Sequence, residues 1–180
     1  SYFQILQKKD ESFFNKKYNS GYGNLNDYDY VLKLYSQGSS INNYLRDPYN
    51  FSYNTNDSKS NVWCLHKAIT QNFPRIKNGT VLYRGVCYKL PDNIGVGTKF
   101  YFPEFLSASK DINTAKSFAG KGTLMYITVQ NNGTNGKKYY CRDIEYISAY
   151  PNEKEVIFTP YCQFRVTKIE KKCTNIIITI

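Results

Sequence analysis

The chain has 180 residues, 41% of them hydrophobic and 17% aromatic, and carries a formal net charge of +10. That length suits one domain over 1–180. With no apolar run near the ~18 residues of a membrane span and no signal-peptide pattern at the start, a soluble, monomeric globular protein is expected. The charge suits an acidic partner, but the basic residues are scattered in pairs such as Lys8-Lys9 and Lys137-Lys138. This is the pattern of a solvated surface, so no nucleic-acid partner is expected.

Residues 1–75 read as a helical lobe. In "NDYDYVLKLYSQ", Tyr28, Val31, Leu32 and Tyr35 recur at helical spacing behind Asn and Asp as candidate caps. "SSINNYLRD" gives a short second helix, with Ile41, Tyr44 and Leu45 on one side and Pro48 ending it. A polar loop over 47–60 leads to "SNVWCLHKAITQNF", a helix capped by Ser60 and buried through Val62, Leu65 and Ile69.

After Pro74 the pattern changes to strands. "TVLYRGV", "TKFYF", "TLMYITV", "EYISAY", "EVIFTP", "FRVTKI" and "NIIITI" are rich in β-branched and aromatic residues. "DINTAKSFAG" interrupts them as a helix between a cap at Asp111 and a stop at Gly120. "NNGTNGKK" reads as a hairpin turn. Helices first and strands after make the class α+β.

Five cysteines without a C-x-x-C pair, and a single histidine, His66, exclude a structural zinc site, so no metal is expected. Four of the cysteines could form two disulfides in an oxidising compartment. Sequons at Asn50, Asn56, Asn78 and Asn132 also fit secretion. Beginning at Ser1 without Met, the chain reads as a mature or trimmed form. Gly-x-Gly occurs at Gly21/Gly23, Gly95/Gly97 and Gly120/Gly122, never with the third glycine of a dinucleotide-binding turn.

Three pieces remain. Arg84 lies inside the apolar "TVLYRGV", where a guanidinium needs partners, and Gly85 permits close approach to the backbone. Ser107 and Ser109 of "FLSASKD" alternate, so both hydroxyls face one side. Glu153 and Glu155 of "YPNEKEVIFTP" stand two apart, which on a strand puts both carboxylates on one face, roughly 6–7 Å apart. Paired carboxylates suit chemistry that builds positive charge, as cleavage of a glycosidic bond does. On the residues alone, an edge-strand arginine facing water, a turn with its cap and a solvated strand face are the competing readings of the three pieces.

In this order, Arg, Ser-x-Ser and Glu-x-Glu resemble the mono-ADP-ribosyltransferases of the Arg-Ser-Glu class, which include clostridial toxins and vertebrate ecto-enzymes. The resemblance covers about residues 28 to 165, with "SINNYLR" similar to the family's NAD-contacting helix and "SFAG" to its phosphate–nicotinamide loop. It implies an ADP-ribosyltransferase fold, a helical lobe (about 1–75) packed on a split, mixed or antiparallel β-sandwich (about 76–180). It also implies NAD as substrate and a protein acceptor bearing arginine.

The same resemblance implies roles. Arg84 would hold the NAD phosphates, and the Gly85 backbone would meet the nicotinamide carboxamide. Ser107 would orient Glu155, and Ser109 would support the turn. Phe118 would stack on nicotinamide, while Asn42 and Arg46 would contact the adenosine and phosphate side. Lys121 stands near the family's phosphate-binding arginine. Glu155 would be the catalytic glutamate and Glu153 the acceptor-directed one, with Tyr150 on the acceptor-recognition turn. An NAD glycohydrolase on the same scaffold and a non-catalytic basic binding protein are the competing readings. Cys87–Cys141 is one guess at a bridge between neighbouring strands.

Overall fold

Apolar residues returning every three or four positions build the helices, and the computed structural model describes residues 25–38, 41–70, 76–134, 138–170 and 175–179. Helices α1 (Leu25–Ser36), α2 (Ile41–Arg46) and α3 (Asn56–Thr70) form the lobe. Val31, Leu32, Ile41, Leu45, Val62 and Ile69 meet in one buried cluster, which also takes in Phe105, Ile144 and Ile157 from the strand region. The lobe is thereby packed onto the sheet. The side chains of Asn26 and Asp27, expected as caps of α1, lie outside the described residues. Helix α3 starts before the expected cap at Ser60. Thr55 Oγ1 accepts the Ser58 N–H at 3.0 Å, and Ser60 falls within the helix.

The strands are β1 (Val81–Val86), β2 (Lys99–Tyr101), β3 (Leu106–Ser109), β4 (Thr123–Thr128), β5 (Cys141–Asp143), β6 (Glu155–Phe158), β7 (Gln163–Glu170) and β8 (Asn175–Thr179). They form one sheet in the order β2-β7-β8-β4-β1-β3-β6-β5, parallel only between β4 and β8. Phe158 on β6 lies 5.9 Å from Phe164 on β7, ring centre to ring centre. Near-opposite ends of the strand order can meet in this way only if the sheet folds over. The expected sandwich is therefore a single open hydrogen-bonded sheet folded over so that its apolar face packs on itself, where Leu82, Leu106, Met125, Val156 and Val166 are buried.

Helix α4 (Ile112–Ala119) crosses β1. Asp111 caps it by accepting the Asn113 N–H, and Gly120 ends it at φ 52°. Gly85 is where the two backbones close in, since a Cβ there would stand 1.8 Å from Ala115 O. The backbone approach expected at Gly85 is that of this helix.

Three further expectations fail. "EYISAY" is not a strand: the Ile147 and Ser148 N–H groups both donate back to Ile144 O, and a 3-10 helix, Pro151–Glu153, follows. Asp143 starts the turn by accepting the Glu145 N–H, competing with any ladder. "NNGTNGKK", of which residues 135–137 lie outside the described part, joins no hairpin. Both edges of β4 are already taken by β1 and β8, so β5 pairs with β6 instead. Among the described residues no disulfide joins Cys64, Cys87, Cys141 and Cys162, and Cys173 lies outside the described residues. Cys87 and Cys141 do not bridge neighbouring strands, because β3 and β6 separate β1 from β5.

Candidate active site

Strand β1 pairs with β4 along its whole length but meets β3 only at Tyr83↔Ser109. Beyond that pair the sheet opens, and a cleft of about 430 Å³ lies between the end of α1, α2, the opened β1–β3 edge, α4 and the Glu153 turn.

Alternation on β6 places its side chains. Val156 and Phe158 enter the sheet interior, Ile157 faces the helical lobe, and Glu155 shares the side of Ile157. Across the ladder, Ser109 pairs with Glu155 and Ser107 with Ile157, so both hydroxyls join that side while Leu106 and Ala108 face the interior. Ser107 Oγ donates to Glu155 Oε1 at 2.6 Å, and Glu155 is only 7% exposed. Burial pushes the Glu155 carboxyl above its ordinary range; the Ser107 hydrogen bond and the Arg84 charge oppose this, and the neighbouring charge of Glu153 adds to it.

Glu153 and Glu155 do share the cleft, though not by strand alternation. Glu153 ends the 3-10 helix, and Lys154 then takes the left-handed conformation at φ 47° before β6 begins. Ser109 holds this turn, donating to Glu153 O at 2.7 Å and accepting the Asp111 N–H at 2.9 Å. No ion pair engages the Glu153 carboxylate among the described residues.

Arg84 spans the gap between β1 and β3, where Nη1 donates to Ser107 O at 2.7 Å. Its Nε is buried with no hydrogen-bond partner among the described residues, and burial lowers the guanidinium pKa. A buried donor left unmatched beside a polar cleft suits an anionic group such as a phosphate.

The remaining residues divide. Asn42 commits its amide to Phe105: Oδ1 accepts the Phe105 N–H at 2.9 Å and Nδ2 donates to Phe105 O at 3.1 Å. Although it lines the cleft, it also fixes the entry into β3. Arg46 lines the cleft and pairs with Glu104 at 3.7 Å. Phe118, on the last turn of α4 and not in a loop, is 57% exposed at the cleft wall. Lys121 and Tyr150 are exposed and stand apart from the lining.

Sequence reasoning missed Tyr35. It reads as one more apolar position of α1, yet its hydroxyl lies 2.9 Å from Ser107 Oγ and 3.3 Å from Phe105 O. Burial raises its pKa, which keeps the hydroxyl neutral and able to donate. The only available signal was its phenol on an otherwise apolar helix face, because a buried tyrosine hydroxyl needs a partner.

Among the described residues no cluster of three or more His, Cys, Asp or Glu could hold a metal ion, and no helix is long and apolar enough to cross a membrane.

A family model described as ADP-ribosyltransferase exoenzyme matches residues 10–180. Among solved structures, the ADP-ribosyltransferase Vis, a toxin from Vibrio splendidus, is 21% identical with a TM-score of 0.68, covering 98% of this chain and 83% of that one. Vis has also been solved with agmatine. Exoenzyme S from Pseudomonas aeruginosa, in complex with human 14-3-3 protein beta and Carba-NAD, is 18% identical with a TM-score of 0.62, covering 99% and 88%. The C3 exoenzyme of Clostridium limosum is 17% identical with a TM-score of 0.61, covering 98% and 92%. At these identities the likeness is one of fold. A comparison with curated protein sequences gave no match.

Proposed function

Because this chain belongs to the ADP-ribosyltransferase exoenzyme family, whose substrate is NAD, we propose that it transfers ADP-ribose from NAD to an arginine side chain of a protein acceptor. The observation that carries the reading is the pair of unlike carboxylates in one cleft. Glu155 is buried and bonded to Ser107, while Glu153 is half-buried and, among the described residues, without an ion pair. As the bond between nicotinamide and the ribose C1 breaks, nicotinamide leaves with the bonding electrons and positive charge grows on the ribose. Glu155, held by Ser107, stabilises that charge. Arg84 neutralises the NAD phosphates, with Arg46 beside it, and Gly85 lies on the opened edge of β1 where the carboxamide docks.

Glu153 binds the incoming guanidinium through two charge-assisted hydrogen bonds, which orient one nitrogen toward the ribose C1. The agmatine complex of Vis supports a cleft of this fold that accepts a guanidinium. Phe118 covers the nicotinamide side and Tyr150 the acceptor side. The acceptor's proton is lost as the new C–N bond forms. Water reaching the same cation gives NAD hydrolysis, and the exposed rim at Phe118 and Tyr150 supports that side reaction. The exoenzyme character of the family supports action outside the producing cell.

Incubation with NAD and agmatine tests the reading. Nicotinamide release together with ADP-ribosylated agmatine is expected. Release without any modified agmatine leaves a hydrolase and removes the transferase.

A further inference from the structure

Lys110 follows Ser109 at the end of β3, outside the cleft lining. Its ammonium is shared by two carboxylates, Asp143 and Glu145, on the segment that runs from β5 toward Glu153. Its backbone N–H donates to Lys154 O at 3.1 Å, between the two cleft glutamates. One residue thus ties both ends of the connection over 144–153, which carries Tyr146 and Tyr150, exposed by 55% and 54%.

Further ties fix the rest of this connection. Ile144 N–H donates to Glu155 O at 3.0 Å, and Ala149 N–H reaches Ser36 Oγ on α1 at 2.8 Å. The Lys110 ammonium is the positive charge that holds Asp143 and Glu145 together there. Without it, two carboxylates would repel at the base of the loop. Among the described residues no hydrogen bond links the side chains of Lys110, Asp143 or Glu145 to Ser107, Arg84 or the Glu155 carboxylate.

We propose that Lys110 is a positioning residue for acceptor specificity: it clamps the 144–153 connection so that Glu153 and the tyrosine-bearing rim meet the incoming guanidinium, leaving NAD cleavage to the other residues of the cleft. The proposal rests on the transferase reading above. A loop misplaced by about 1 Å is enough to cost one to two orders of magnitude in a step that depends on orientation.

The test uses the whole chain with agmatine as acceptor. Lys110→Met is expected to raise the KM for agmatine and cut transfer at least about tenfold, while nicotinamide release from NAD alone stays within about twofold and the KM for NAD is held. In the same variant, without any substrate, amide hydrogen exchange over 144–150 is expected to quicken. Lys110→Arg, which keeps the charge, should restore both readouts. Asp143→Asn with Glu145→Gln breaks the same contact from the other side and should shift them in the same direction, which covers a Lys110→Met protein that fails to fold. Equal loss of transfer and hydrolysis, or exchange over 144–150 that neither variant alters, overturns the clamp. A wild-type protein that never modifies agmatine overturns the arginine reading instead, and hydrogen exchange still decides the role of Lys110.

Discussion

Ser107 donates its hydroxyl to Glu155 Oε1 at 2.6 Å while the Tyr35 hydroxyl stands 2.9 Å from the same Ser107 oxygen, so α1 of the helical lobe reaches the buried carboxylate through one intermediate. A hydrogen bond to an ionised group is worth about 1.5–3 kcal/mol, or roughly a factor of ten to a hundred in rate where the charge matters. Ser107→Ala should lower nicotinamide release by about that factor. The Ser107 bond favours the ionised form of Glu155, so its loss should also move the acid limb of the pH–rate profile upward. Tyr35→Phe should move both readouts in the same direction by less. Initial rates of nicotinamide release across pH check both variants.

Glu153→Gln separates two effects of one carboxylate. Transfer to agmatine should fall about a hundredfold, because an amide cannot give the guanidinium a charged, two-point partner. NAD hydrolysis should persist, and its acid limb should move to lower pH. The Glu153 charge helps hold the Glu155 carboxyl above its ordinary range, and the substitution removes that contribution. A profile for hydrolysis that stays in place would mean the two carboxylates do not sense each other.

The strand that carries Arg84 and the one that begins at Glu155 were legible because β-branched and aromatic residues mark them directly, and Asp111 and Gly120 marked both ends of α4. What the sequence concealed depended on contacts distant in the chain. Whether "NNGTNGKK" closes a hairpin depends on β8 having taken the free edge of β4, which local turn chemistry cannot report. The shared orientation of Glu153 and Glu155 was anticipated for the wrong reason, since a left-handed Lys154 sets it where strand alternation was expected. Tyr35 looked like core because its ring is core, and only the fold shows its hydroxyl meeting Ser107.

Gly85→Ala tests the seat of α4. The added Cβ would stand 1.8 Å from Ala115 O and 2.5 Å from Ala119 N, both backbone atoms that cannot rotate away. Helix α4 must lift from β1, carrying Phe118 and the wall of the cleft with it. A loss of about 3 kcal/mol or more is expected, at the upper end for overpacking, and denaturant unfolding measures it. Nicotinamide release should fall with it even at temperatures where the variant is folded.

Glu155→Gln should abolish nicotinamide release and yet stabilise the fold at neutral pH. Burial is the main cause that raises the Glu155 carboxyl above its ordinary value of 4.5. A carboxyl whose folded-state pKa is raised contributes its full stability while protonated, below the unfolded value, and that contribution is lost as pH rises through the folded value. At neutral pH the ionised, 7% exposed carboxylate therefore costs stability, which glutamine avoids while still accepting the Ser107 hydroxyl. Thermal unfolding should show Tm for Glu155→Gln higher by a few degrees at neutral pH, with the gap closing as the pH falls through the raised folded value toward the ordinary 4.5. A gap that widens toward acid pH would show that Glu155 is held ionised by its neighbours, and that the cleft stabilises this charge before NAD is bound.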